Sequence, residues 1–308
     1  MSSPVDIVSL AMAGLLGMVV GGNNLSACSG TIIGSGMVRR RTGVVLAVIG
    51  YIAGLTIEGP KLFRVREVFL PTSTSVAAFT ILLASLLIFL GGEFFQIPLS
   101  LSKALTGSIL GVSFALGTPI LTPYFLLILT FWFLVPVIAT SLGVLLISLD
   151  DRLSPKNLWL KLSVLKVGLL PVAFLSAYAL GVNTLGLIAG IPFDQSYNAP
   201  TIVVGIGCVI GAFALGRGTL RRLTEGIYSL RYPNAFYAQL IGSATVEVAN
   251  QLAVPLSITE TVSSGIIGSG LARRVRVLNV RNIFLIVSSW ILSPLVGFCL
   301  SFALIKIL

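Results

Sequence analysis

Not one of the 308 residues is a histidine. That removes the commonest general base and the usual protein ligand for zinc, haem and copper. Charge is scarce as well: Lys and Arg number 20 and Asp and Glu 10, together 10% of the chain, where a soluble domain carries about 25%. The three cysteines, Cys28, Cys208 and Cys299, lie in apolar context without paired spacing. They read as membrane-buried thiols, neither a disulfide framework nor a metal site. The first residues lack a basic stretch and a cleavage signal, so the first hydrophobic segment is expected to be retained. No nucleophile sits beside a base, which argues against an enzyme and leaves no catalytic residue to name.

What remains is apolar: 56% of residues are hydrophobic and the mean hydropathy is +1.04. This composition predicts an all-α polytopic membrane protein, multi-pass in the cell membrane, with the lipid bilayer as its main partner. The net charge of +10 then reads as a topology signal in the loops, and no nucleic-acid partner is expected.

Hydropathy places spans at about Val5–Val20, Ser26–Met37, Thr42–Gly59, Ser73–Gly91, Pro98–Gly117 and Pro119–Leu149. A charged stretch, 150–166, follows and is expected to be a loop between two membrane units, 1–149 and 167–308. The second unit holds spans at about Val167–Gly190, Pro200–Gly216, Ala235–Val254, Pro255–Ala272 and a last one ending near Ile307.

One motif occurs in both units. Pro98-Leu99-Ser100-Leu101-Ser102-Lys103 and Pro255-Leu256-Ser257-Ile258-Thr259-Glu260 each set a helix breaker, two hydroxyls and one charge inside apolar sequence. Lipid tolerates that only where protein or a water-filled cavity surrounds it. Pro98 maps to Pro255 at an offset of 255 − 98 = 157, Trp132 to Trp290 at 290 − 132 = 158, and Asn23 to Asn183 at 183 − 23 = 160. Near-constant offsets across three landmarks predict a duplication.

Charge then suggests orientation. With about five net crossings per unit, the second is inverted relative to the first. Arg39–Arg41 shares a side with the basic loops 217–231 and 273–281, as the positive-inside rule asks of an inverted repeat. Lys61, Arg64 and Arg66 fall on the opposite side and run against the pattern. Whether the Pro-Leu-Ser segments are re-entrant or spanning is left open.

The motifs as a set resemble the inorganic phosphate transporter (PiT) family, in order over nearly the whole chain. The second Pro-Leu-Ser run is similar to that family's P-V-S-T-T-H signature. Gly265 to Ala272 resembles the G-x-x-x-G-V-G-L-A after it, and Ser289-Trp290-Ile291-Leu292-Ser293-Pro294 looks like its S-W-(I/L)-(L/T)-(S/T)-P. Gly21-Gly22-Asn23-Asn24 is similar to the family's G-A-N-D, with a fainter copy at Gly181-Val182-Asn183-Thr184. The resemblance implies a secondary transporter of phosphate or sulfate. It implies two inverted repeats of about five spans, with paired Pro-Leu-Ser half-helix hairpins at mid-membrane around the substrate. Asn23, Asn24, Asn183 and Thr184 would line that site. Broken helices aiming N-terminal amides at a cavity suit an oxyanion, and Ser100, Ser102, Ser257 and Thr259 would add hydroxyl donors.

The sequence departs from the family where carboxylates are usual. Asn24 and Thr184 replace the motif's Asp, and Lys103 and Glu260 replace the signature histidines. Sodium coupling is therefore not expected, and no cofactor or metal is. Lys103 and Glu260 occupy equivalent positions and are expected to pair near the pseudo-two-fold axis, with Lys103 supplying the positive charge and Glu260 able to carry a coupled proton. Glu247 is a second proton carrier or an alternative partner for Lys103. The leading expectation is a proton-coupled or sodium-independent oxyanion permease, with homo-oligomers plausible by analogy. The alternative is a non-transporting membrane sensor or assembly subunit with the same fold.

Overall fold

Ser3 opens the first helix with a reciprocal cap. Its hydroxyl accepts from the Asp6 N–H at 3.2 Å, and the Asp6 carboxylate accepts from the Ser3 N–H at 2.7 Å. Pro4 occupies the first turn, where its missing N–H costs nothing. The computed structural model describes residues 3–34, 38–71, 74–94, 99–153, 157–192, 198–215, 232–273 and 280–308. Pro98, the basic loop 217–231 and residues 274–279 of the other basic loop lie outside the described residues.

Regular structure among the described residues is helical: α1 (Pro4–Asn23), α2 (Leu25–Gly34), α3 (Arg40–Ile57), α4 (Phe63–Phe69), α5 (Ser75–Phe94), α6 (Leu101–Ala115), α7 (Pro123–Leu153), α8 (Leu158–Leu180), α9 (Gly186–Ala189), α10 (Asn198–Ala214), α11 (Tyr232–Gln251), α12 (Ile258–Ala272) and α13 (Val280–Ile307). A π-helical turn, Gly181–Leu185, joins α8 to α9. Among these residues, six helical stretches are long and apolar enough to cross a bilayer. Phe133, Val137, Val167 and Phe284 point outward with 61–70% of their surface exposed, as apolar side chains do when lipid is the solvent. The chain is a multi-pass membrane protein.

α6 and α12 are different. Each has 15 residues, a rise of about 22 Å, against a hydrocarbon core of about 30 Å. Each is also buried nearly all round, so protein, not lipid, surrounds it.

The packing follows the sequence duplication, with partners exchanged. α6 lies on α13 and α12 lies on α7; α1 lies on α10 and α8 lies on α3. Glycines permit the close approach. A Cβ at Gly111 would fall 2.3 Å from the Phe298 carbonyl oxygen, and one at Gly268 would fall 2.1 Å from that of Thr140. These are matched pairs, since 268 − 111 = 157 and 298 − 140 = 158. Small residues let membrane helices meet where no hydrophobic effect drives them together.

The stretch 150–166, expected to be a loop, is helical at both ends. α7 continues to Leu153 and α8 begins at Leu158, its N-terminal amides capped by the Asn157 side chain at 3.0 and 3.3 Å. Three of its charges are paired: Lys161 with Asp150 at 2.5 Å, and Asp151 with Arg273 at 2.8 Å.

Candidate functional site

Ser100 and Ser257 stand at the N-caps of α6 and α12 with nearly the same extended backbone, φ −89° ψ 111° and φ −90° ψ 120°. Lys103 and Glu260 are therefore both the third residue of their helices. Their side chains meet. The Lys103 ammonium lies 2.9 and 2.8 Å from the two Glu260 carboxylate oxygens, and the side chains are 3% and 1% exposed. A buried pair of this kind returns only what desolvation takes when its geometry is good. The dipoles make it asymmetric: Glu260 suits the positive end of its own helix, whereas Lys103 opposes the positive end of α6. Two aromatic faces flank the ammonium, Trp132 of α7 with its centroid at 5.3 Å and Trp290 of α13 at 6.0 Å.

Hydroxyls surround the pair. Ser102 and Thr184 share a hydrogen bond at 2.9 Å, which brings the π-helical turn to the start of α6. Such turns recur at functional sites because they re-aim side chains within a helix. Ser257 and Thr259 share another at 2.8 Å, and the Ser257 hydroxyl accepts from the Glu260 N–H at 3.4 Å. The Ser100 N–H donates to the Ser293 hydroxyl at 2.9 Å, while the buried Ser100 hydroxyl has no partner among the described residues.

Asn183 turns toward the chain that precedes α12. Its amide donates to the Asn250 side chain at 2.6 Å and to the Val254 carbonyl at 3.1 Å, and its oxygen accepts from the Leu256 N–H at 3.0 Å. Asn23 and Asn24 sit at the junction of α1 and α2, just past Gly21, which meets the Cys208 backbone of α10.

Glu247 is not the partner of Lys103. One of its carboxylate oxygens accepts from Asn250 at 3.1 Å and the other from Gln251 at 2.6 Å. Gln251 reaches Glu58 at 2.9 Å and Lys61 at 2.6 Å. Burial pushes the Glu58 carboxyl up, but hydrogen bonds from Lys61 and Gln251 outweigh it and hold the group below the ordinary carboxylate range. Glu247 faces this cluster because it lies one turn before the end of α11, level with the end of α3.

Sequence reasoning missed Trp132, Trp290 and Ser293 as site residues. The signal was present: both tryptophans are landmarks of the duplication, each one helix beyond a Pro-Leu-Ser motif.

The model of a family described as the phosphate transporter family matches residues 20–165 and again 160–301. The chain belongs to the phosphate transporter family. That family is one of transporters, not enzymes. A Methanocaldococcus jannaschii protein named "Putative phosphate permease" is 26% identical over 92% of this chain and 91% of its own length. The Bacillus subtilis sulfate permease CysP is 23% identical over 98% of this chain and 88% of its own. The solved structure of the sodium-dependent phosphate transporter matches with a TM-score of 0.83 over 99% of both chains at 17% identity, a likeness of fold. Two matches of one family model, to the first and second halves, agree with the exchange of helix partners.

Proposed function

We propose that this chain is a permease that carries inorganic phosphate, or a related tetrahedral oxyanion such as sulfate, without sodium and coupled to protons. The observation that carries the reading is the buried Lys103–Glu260 pair held between two matched helix starts, with the Ser100 hydroxyl beside it unpaired among the described residues. Helix N-termini, a lysine and hydroxyls are the donor set that a multiply charged oxyanion needs. Relatives named for phosphate and for sulfate point to the same substrate class.

In this reading the chain is two inverted repeats of about five spans, 1–149 and 167–308, and the Pro-Leu-Ser segments are the tips of half-helix hairpins. Ser100, Ser102, Ser257, Thr259 and Thr184 ligate the anion, with Asn23 and Asn24 on the approach. Asn183 shapes the start of α12 from behind. Lys103 supplies the compensating charge. Glu260 holds Lys103 in the empty site, and on taking a proton it releases the ammonium to the anion. Sodium is left out of this reading because Asn24 stands where the family's motif carries Asp, and Thr184 stands there in the second copy.

The test is counterflow of labelled phosphate and sulfate into proteoliposomes, with and without sodium, for the wild type and Glu260→Gln. Sodium-independent uptake that rises with acidity in the wild type, and loses its pH dependence in the variant, is expected. Sodium-dependent uptake overturns the coupling. Uptake of neither anion overturns the transport reading in favour of a membrane sensor.

A further inference from the structure

Lys103 is buried, opposes the dipole of its own helix, and has one carboxylate partner among the described residues, Glu260. When Glu260 takes a proton or turns to the anion, that partner is lost. An ammonium left alone in a dry site would shed its proton or recruit water. Two aromatic rings lie on it from neighbouring helices: Trp132 from α7 at 5.3 Å and Trp290 from α13 at 6.0 Å, both within cation–π reach. They are equivalent residues of the two halves, yet both serve the lysine of the first half. Trp132 is also fixed in place, its indole N–H donating to the Pro255 carbonyl at 2.7 Å, so the ring is tied to the segment that leads into α12. Ring faces cannot titrate and do not compete with the anion for hydrogen bonds. They attract a cation by their quadrupole whether or not a carboxylate is present.

We propose that Trp132 and Trp290 are positioning residues that keep Lys103 charged and aimed at the oxyanion once Glu260 lets go. The inference rests on the permease reading above and deepens it. Lysine charge and glutamate charge become separable: Glu260 changes protonation through the cycle while Lys103 does not. The site then retains one fixed positive charge for the anion at every stage.

The experiment is equilibrium binding of labelled phosphate and sulfate to the purified protein in detergent. Variants are Trp290→Leu, Trp290→Phe and Trp132→Phe, each alone and with Glu260→Gln. Trp290→Leu should weaken binding of the preferred anion roughly tenfold, the order expected of one desolvated cation–π contact. Trp290→Phe, which keeps a ring, should restore most of that loss. Trp132→Phe separates ring from hydrogen bond and should cost little in the wild-type background. With Glu260→Gln the site should still bind, and the Leu variant should lose severalfold more than it does alone, because the Trp132 ring is then left to hold the ammonium without the carboxylate or the second ring. A tryptophan that only fills space would give the same factor in both backgrounds. Equal losses for Leu and Phe, equal factors in both backgrounds, or no binding at all by Glu260→Gln would each overturn the inference while leaving the permease reading standing. Failure of the wild type to bind either anion would overturn both.

Discussion

Ser257 caps the helix that it starts, whereas Ser100, at the matching place in the first half, caps nothing. Backbone angles at the two positions agree within 10°, so the difference lies in side chains alone. In the second half the hydroxyl turns inward to the Glu260 N–H, and the acid three residues on suits the helix dipole. In the first half the residue three positions on is Lys103, which the dipole disfavours, and the serine hydroxyl makes no cap and has no partner among the described residues. One copy is built as a stable helix start. The other gives up that local stability and presents a cation and a free donor. A duplicated scaffold can thus divide labour, with one half holding the geometry and the other holding the charge.

The largest test of this division removes one charge at a time. Lys103→Ala leaves Glu260 buried without its partner and should lower unfolding free energy by about 3–5 kcal/mol. Replacing both, Lys103→Met with Glu260→Leu, should recover most of that stability with no transport. Thermal unfolding alongside uptake reads both outcomes, and recovered transport would mean the pair is only structural. Next come the positions at which the halves should respond alike. Gly111→Ala and Gly268→Ala each drive a methyl into a facing carbonyl and should each destabilise by about 1–3 kcal/mol. A large inequality between them would show that one helix contact is looser than the other. The smallest effect separates the two serines. Ser257→Ala should cost about 1 kcal/mol as a lost cap. Ser100→Ala should leave unfolding unchanged and weaken anion binding instead. Equal shifts in melting temperature for the two variants would erase the distinction.

Much of this was legible in the sequence because duplication leaves a register. Offsets of 157 to 160 predicted that Lys103 would meet Glu260, and the fold brings the two side chains together. Helix positions were legible from hydropathy, since lipid forces backbone bonding into helices, and six of the predicted spans coincide with helices long and apolar enough to cross a bilayer. The stretch 150–166 was misread because charge there signals paired helix ends as well as loop. Glu247 could not be assigned, since its neighbours Asn250 and Gln251 close a cluster with Glu58 and Lys61 that lie 190 residues away in the chain. The Ser102–Thr184 contact depends on a π-helical turn, whose extra residue shifts every later side chain and has no signature in hydrophobic periodicity. Trp132 and Trp290 were visible as repeats, but aromatic residues inside apolar helices are ordinary and carry no mark of their partner.

Helix exchange across the duplication has a consequence for how the molecule comes to be. α6 lies against α13 and α12 against α7, so each half's short helix takes its most extensive contact from the other half. During synthesis the first half must wait in the membrane with its glycine seam open until the second is inserted. The contact that a pair of separate subunits would make is here covalently guaranteed, and a chain severed between α7 and α8 should still assemble when both pieces are made together, while neither should persist alone.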